Sequence, residues 1–131
     1  MLPMRHRLRA AAEFSATVRS GARSGRRNVV LYAYLRPEAC LTEPTRFGFI
    51  VSKAVGNAVT RNLVKRRLRA VAAQQLPALA PGYDVVMRAL PASAQATWAG
   101  LSVDARRALD KSCRQAAERE TESMRRRHSD G

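Results

Sequence analysis

The 131-residue chain lacks most of what protein catalysts are built from. It has two cysteines, Cys40 and Cys113, with no CxxC pair between them. That excludes a zinc ribbon and a disulfide-dense scaffold and fits a reducing compartment. Each cysteine reads instead as a small apolar residue, buried or half-buried. The two histidines, His6 and His128, lie near the chain ends, and no HExxH or other metal-ligand spacing occurs. There is no GxSxG elbow and no GxxxxGK[ST] phosphate loop, and Gly48 and Gly56 do not form a dinucleotide fingerprint. The acidic residues number only 10 and are scattered, which argues against a two-metal carboxylate nuclease. No catalytic side chains and no protein metal ligands are therefore expected. If the chain takes part in a reaction, the reactive groups belong to its partner. Aromatic residues make up 5% of the chain, too few for a broad stacking platform. No apolar run approaches the ~18 residues of a membrane span. The basic start MLPMRHRLRAAAEF has no apolar stretch behind it, so no signal peptide is read there. A cytoplasmic protein without a membrane partner is expected.

What the chain has in excess is positive charge. Lysine and arginine total 24, the formal net charge is +14, and only Lys53, Lys65 and Lys111 are lysine. The guanidinium is a planar fork of donors that fits phosphate and stacks on bases. The charge is also unevenly placed. No acidic residue occurs between Glu43 and Asp84, a stretch that holds Arg46, Lys53, Arg61, Lys65, Arg66, Arg67 and Arg69. A solvated helix usually mixes signs for i,i+4 support. Here the cations from Arg61 to Arg69 repel one another, so either a polyanion neutralises them or they form a well-solvated basic face; of the two the polyanion is favoured, with nucleic acid leading.

Periodicity predicts an α+β fold in one domain over residues 1–117, followed by a flexible basic and polar tail over 118–131. A short amphipathic helix runs from Leu8 to about Arg19 and ends near Gly21, in the turn stretch SGARSGRR. Asn28–Leu35 reads as a strand with Val30, Tyr32 and Tyr34 on one face and Val29, Leu31 and Ala33 on the other. A loop from Arg36 leads to a second strand, Arg46–Lys53, expected to pair antiparallel with the first because the connection is too short for a crossover helix. Asn57 is a plausible N-cap for a helix that continues to Leu76, where Pro77 stops it. On that helix Val64, Leu68, Val71 and Gln75 fall within an arc of roughly 60°, with Asn62, Lys65, Arg66 and Arg69 in an arc of roughly 100° beside it. Leu63 falls off the apolar stripe, so it either reaches a second contact or is exposed. A third strand follows at Gly82–Ala89, and a last amphipathic helix runs from Trp98 to about Ala117.

The segment VSKAVGNAVTRNLVKRRLR, Val51–Arg69, resembles the protein subunit of bacterial ribonuclease P. The family pattern has a strand ending in Ser-Lys, a Gly-Asn-Ala-Val turn into a helix, and Arg-Asn-Arg followed by further cations. Here these read Ser52-Lys53, Gly56-Asn57-Ala58-Val59 and Arg61-Asn62, then Lys65, Arg66 and Arg69. Glu13-Phe14, the Gly21 turn, Val29–Tyr32, Arg46, Gly48, Gly82-Tyr83-Asp84 and the Trp98–Arg114 helix fall in the expected order, so the resemblance covers roughly residues 8–115. Three positions depart from it. Leu63 stands third in the Arg-Asn-Arg signature, so that contact is missing or supplied by Arg67. Ala54 stands where a second lysine is common, and Val18 where a second aromatic often is.

The resemblance implies a two-layer sandwich of a small mixed sheet packed with helices, similar to the second domain of a small-subunit ribosomal protein, with a left-handed βαβ crossover around the basic helix. It implies a monomeric protein bound 1:1 to a large catalytic RNA, and cleavage of the 5′ leader of precursor tRNA by that RNA with Mg²⁺, the metal held mainly by the RNA and the substrate. Arg61, Asn62, Lys65, Arg66 and Arg69 would dock on the catalytic RNA. Phe14, Val18, Tyr32, Lys53 and Asn57 would meet the leader. Charge and element order alone leave two other readings open: a ribosomal or ribosome-assembly protein without a nuclease role, and a basic protein that compacts DNA or coats a membrane surface. Against the membrane version, the cations adjoin a helix face needed for the core, leaving no free apolar stripe for insertion.

Overall fold

The computed structural model describes residues 2–37 and 42–129, so Cys40 and part of the expected Arg36–Pro44 loop lie outside the described residues. In chain order the elements are α1 (Ala11–Ser20), β1 (Ala22–Gly25), β2 (Val29–Leu35), β3 (Arg46–Ile50), α2 (Ala58–Gln75), β4 (Tyr83–Ala89) and α3 (Trp98–Ser129). The strands form one mixed sheet in the order β1-β2-β4-β3.

Two features of this sheet differ from expectation. The first is the placement of β3. It pairs parallel with β4, from Arg46 opposite Asp84 to Ile50 opposite Arg88, and the predicted antiparallel pairing with β2 does not form. β4 takes that place, antiparallel to β2 along its whole length from Val29–Ala89 to Leu35–Tyr83. The reason lies in burial: in β4 every residue except Arg88 is buried, so this strand needs a neighbour on each edge and cover on each face. α2 is the crossover that returns the chain parallel to β3. The second feature is β1, which occupies the stretch read as a turn. Ala22 and Ser24 point inward and Arg23 and Gly25 outward, an alternation carried by small residues that give little strand signal.

β2, β3 and β4 present alternate residues to two cores. Val29, Leu31, Ala33, Phe47, Val85 and Met87 pack beneath α2 and α3, which supply Val64, Leu68 and Val71 and the run Leu101, Ala105, Leu109 and Ala116. The opposite face carries Val30, Tyr32 and Val86, covered by Leu8 and by Phe14 and Val18 of α1. The sandwich is therefore uneven, with two long helices on one face and a single short one on the other. The N-terminal segment belongs to the fold as well. Leu2 is fully buried, and Leu8 donates its amide to the Phe47 carbonyl at 2.8 Å.

α3 does not end near Ala117, and the tail predicted to be flexible continues as helix to Ser129. Its core-facing positions stop at Ala116, which is why an apolar pattern fails to reveal the rest. Beyond that point Glu, Arg and Met are good helix formers, and Arg126 pairs with Glu122 at 3.0 Å in i,i+4 spacing.

Candidate nucleic-acid interface

α2 starts on Asn57, whose Oδ1 accepts the Thr60 amide at 2.9 Å. Val64, Leu68, Val71 and Ala72 bury one face of the helix. Beside them Asn62 and Arg66 are exposed, and Arg61, Lys65 and Arg69 are half-buried at the margin. Among the described residues no ion pair involves α2: the carboxylates of Glu13, Glu43, Asp84, Asp104, Glu120 and Glu122 engage Arg26, Arg36, Arg46, Arg126 and Arg127 instead. Among the described residues the α2 cations thus have no protein counterion. One donor is further marked: Nε of Arg61 is shielded from solvent and has no hydrogen-bond partner among the described residues. An unmade hydrogen bond of that kind costs about 1–3 kcal/mol until an acceptor arrives.

Arg67 points elsewhere. Its Nη1 donates to the Ala96 carbonyl at 3.1 Å, tying α2 to the segment before α3. That contact ties the side chain to the scaffold, and Leu63 is itself half-buried.

Across β3 from α2 lies a groove built around Phe14. Its ring rests on Gly48 so closely that a Cβ there would sit 2.3 Å from Cε1, and only glycine lets the ring reach the strand. Two adjoining depressions share Phe14. One, of about 310 Å³, is lined by Phe14, Ser15, Val18, Arg19, Ile50 and Arg88. The other, of about 130 Å³, includes Phe14, Gly48, Arg7 and, from α2, Lys65 and Arg69. Residues expected to meet two different RNAs therefore converge on one side chain. Tyr32 is 9% exposed and packs with Leu8, Val30 and Val86 under Phe14 and Val18. It belongs to the core beneath the groove, lines neither depression and offers no open ring for stacking. Lys53 and Asn57 are exposed in the turn between β3 and α2 and line neither depression.

Arg7, Arg19 and Arg88 are groove cations that the sequence reading did not single out. Arg88 had a signal: it is the one charged residue near the end of a strand otherwise buried, and its register opposite Val30 and Ile50 puts it on the α1 side of the sheet. Arg46, by contrast, is committed inside the protein. Asp84 holds its Nε and Nη2 at 2.9 Å each, and its Nη1 donates to Glu13 at 2.7 Å. Hydrogen bonding to Asp84 raises the Arg46 pKa. The Ala10 amide, joined by the Arg9 amide and Arg46, outweighs burial and holds the Glu13 carboxyl below its ordinary value.

Burial pushes the Cys113 thiol up to about 12, so it stays protonated and inert near neutral pH. Among the described residues no three His, Cys, Asp or Glu side chains gather into a cluster that could hold a metal ion. No described helix is long and apolar enough to cross a membrane.

A family profile described as Ribonuclease P matches residues 2–113. A Kocuria rhizophila protein described as "Ribonuclease P protein component" is 55% identical over 117 residues, covering 89% of this chain and 100% of that one. One of the same description from Arthrobacter sp. is 56% identical over 110 residues, covering 84% and 79%. Among solved structures, the Staphylococcus aureus RNase P protein superposes with a TM-score of 0.72 at 24% identity, covering 80% of this chain and 93% of that one, a likeness of fold.

Proposed function

Since the chain belongs to the bacterial ribonuclease P protein family, a tRNA-processing ribonucleoprotein in which it partners an RNA subunit and a tRNA substrate, we propose how its surface serves that assembly. The ion-pair-free face of α2, with Arg61, Asn62, Lys65, Arg66 and Arg69, docks on the RNA subunit. The groove around Phe14 and Val18, supported from beneath by the buried Tyr32, takes the single-stranded 5′ leader of precursor tRNA. Lys53 adds a cation and Asn57 a neutral amide at the turn into α2, outside both depressions, and Arg19 and Arg88 add cations inside the groove. The observation that carries this reading is the meeting of Lys65 and Arg69 with Phe14 in one depression. It lets two polyanions that would otherwise repel each other lie side by side on one cationic protein.

The protein binds, orients and screens charge. Cleavage belongs to the RNA subunit; Mg²⁺ held mainly by its phosphates and those of the substrate would supply the charge stabilisation that hydrolysis needs. A monomer bound 1:1 to the RNA in the cytoplasm fits this division. The direct test is reconstitution: adding the protein to the RNA subunit at low Mg²⁺ should restore release of a 5′ leader, and no stimulation would refute the reading.

Phe14→Ala tests the groove. A stacked base is worth ~1–3 kcal/mol, so affinity for precursor tRNA should fall by about 5- to 100-fold while affinity for mature tRNA and for the RNA subunit holds. Equal losses for precursor and mature tRNA would move the leader elsewhere.

A further inference from the structure

We infer that Glu13 is a positioning residue for leader recognition, acting through Phe14 by way of a single carboxylate that caps α1 and bolts it to the sheet; the inference rests on the groove reading above. α1 is lightly held. Thr17 is its only buried residue, and its N-cap position is Ala10, which has no side-chain acceptor to offer the first-turn amides. Glu13 makes up the deficit. Its Oε1 accepts from the amides of Arg9 at 3.2 Å and Ala10 at 3.0 Å, and its Oε2 accepts from Arg46 Nη1 at 2.7 Å. Arg46 is in turn fixed by the two-pronged grip of Asp84 on the neighbouring strand. The chain of contacts therefore runs from the centre of the sheet to the first turn of α1, the turn that carries Phe14.

The geometry explains why this bears on the groove. Arg46 and Gly48 are two residues apart on β3 and so project to the same face, about 7 Å from each other. Glu13 meets the first and Phe14 lies on the second. Consecutive residues of α1 are thus docked at consecutive same-face positions of one strand. Two such points fix both the rotation of the helix and its position along the strand, and with them the plane of the Phe14 ring. Without the Glu13–Arg46 tie the ring keeps its contact with Gly48 and its packing on the Leu8, Val30, Tyr32 and Val86 cluster, but the first turn of α1 loses its polar anchor to β3.

The test is a double-mutant cycle in the reconstituted holoenzyme, reading the ratio of precursor to mature tRNA affinity. Glu13→Gln keeps an oxygen for the amides but removes the charge that holds Arg46, and it should lower the ratio about three- to tenfold, part of the loss expected for one base stack. Glu13→Ala should lower it further. Neither change should alter affinity for the RNA subunit. In a Phe14→Ala background Glu13→Gln should add little, because the side chain through which it acts is gone. Gly48→Ala, which displaces the ring and leaves the carboxylate intact, should reproduce the phenotype. Full additivity of Glu13→Gln with Phe14→Ala, or an equal loss for precursor and mature tRNA, would overturn the positioning role. If Phe14→Ala lowers the ratio and Glu13→Gln leaves it unchanged, the groove reading stands and this inference falls. If Phe14→Ala itself has no effect, the groove reading falls first.

Discussion

Replacing Lys65, Arg66 and Arg69 together by alanine should lower affinity for the RNA subunit by about two orders of magnitude near 0.15 M salt and flatten its salt dependence by roughly two to three log–log units, at 0.7–0.9 per lost phosphate contact. The fold should not suffer. These side chains have no carboxylate partner among the described residues. Arg61 and Lys65, and Lys65 and Arg69, stand in i,i+4 spacing, where like charges destabilise a helix by about 0.2–0.5 kcal/mol per pair. The triple variant should therefore unfold at an equal or slightly higher denaturant concentration than the parent while binding far less tightly. Urea titration and filter binding across a salt series check both halves. Loss of stability in step with binding would mean that the cations hold the protein together, and the interface would have to be sought elsewhere.

Asp84→Ala should do the opposite, costing about 3 kcal/mol of stability, at the lower end of the range for breaking a buried ion pair. The Asp84 side chain is 8% exposed and faces two guanidinium groups, Arg46 at 2.9 Å and Arg36 at 3.6 Å. Arg36 is buried, and it also donates to Gly82 O at 3.0 Å, to Glu43 Oε2 at 3.2 Å and to the Pro44 carbonyl. These acceptors, and Glu13 for Arg46, keep the loss from reaching the upper end. Against a total stability of roughly 5–15 kcal/mol this is a large fraction, readable as a shift in urea midpoint with little change in slope. Asp84→Asn, which retains an acceptor, should fall between the two. A loss below about 1 kcal/mol would show that the guanidinium groups are satisfied without this carboxylate.

How much of this was legible beforehand depended on the kind of physics involved. The buried face of α2 follows from 3.6-residue periodicity, so Val64, Leu68 and Val71 could be placed on the core from spacing alone. The alternation in β2 likewise sorted Val29, Leu31 and Ala33 from Val30 and Tyr32, and each set lies in its own core. Pairing is a different matter. Which strand lies beside β3 is decided by where the doubly buried β4 must go, and no local pattern in Arg46–Ile50 carries that information. The acid-free stretch from Pro44 to Tyr83 pointed to α2 as a bare cationic face, because counterions must come from somewhere in the chain. The same logic did not reveal that Tyr32 would be covered by α1, that Arg67 would hold Ala96, or that Arg88 would line the groove. Those outcomes depend on distant segments meeting. The Glu13–Arg46 tie belongs with them, since its partners are 33 residues apart.

The sheet order also has a consequence for how the chain is made. β4, which begins at Tyr83, separates β2 from β3 and is the sole strand partner of β3 among the described elements. While the nascent polypeptide is still shorter than that, β3 has no ladder to join and one edge of β2 is bare. The arginine-rich α2, already synthesised, has only part of a sheet to pack against. Assembly of this domain must therefore wait until the ribosome has released Ala89. Prematurely terminated products ending before Tyr83 would carry the cationic segment without the scaffold that aims it, and would attach to nucleic acid indiscriminately.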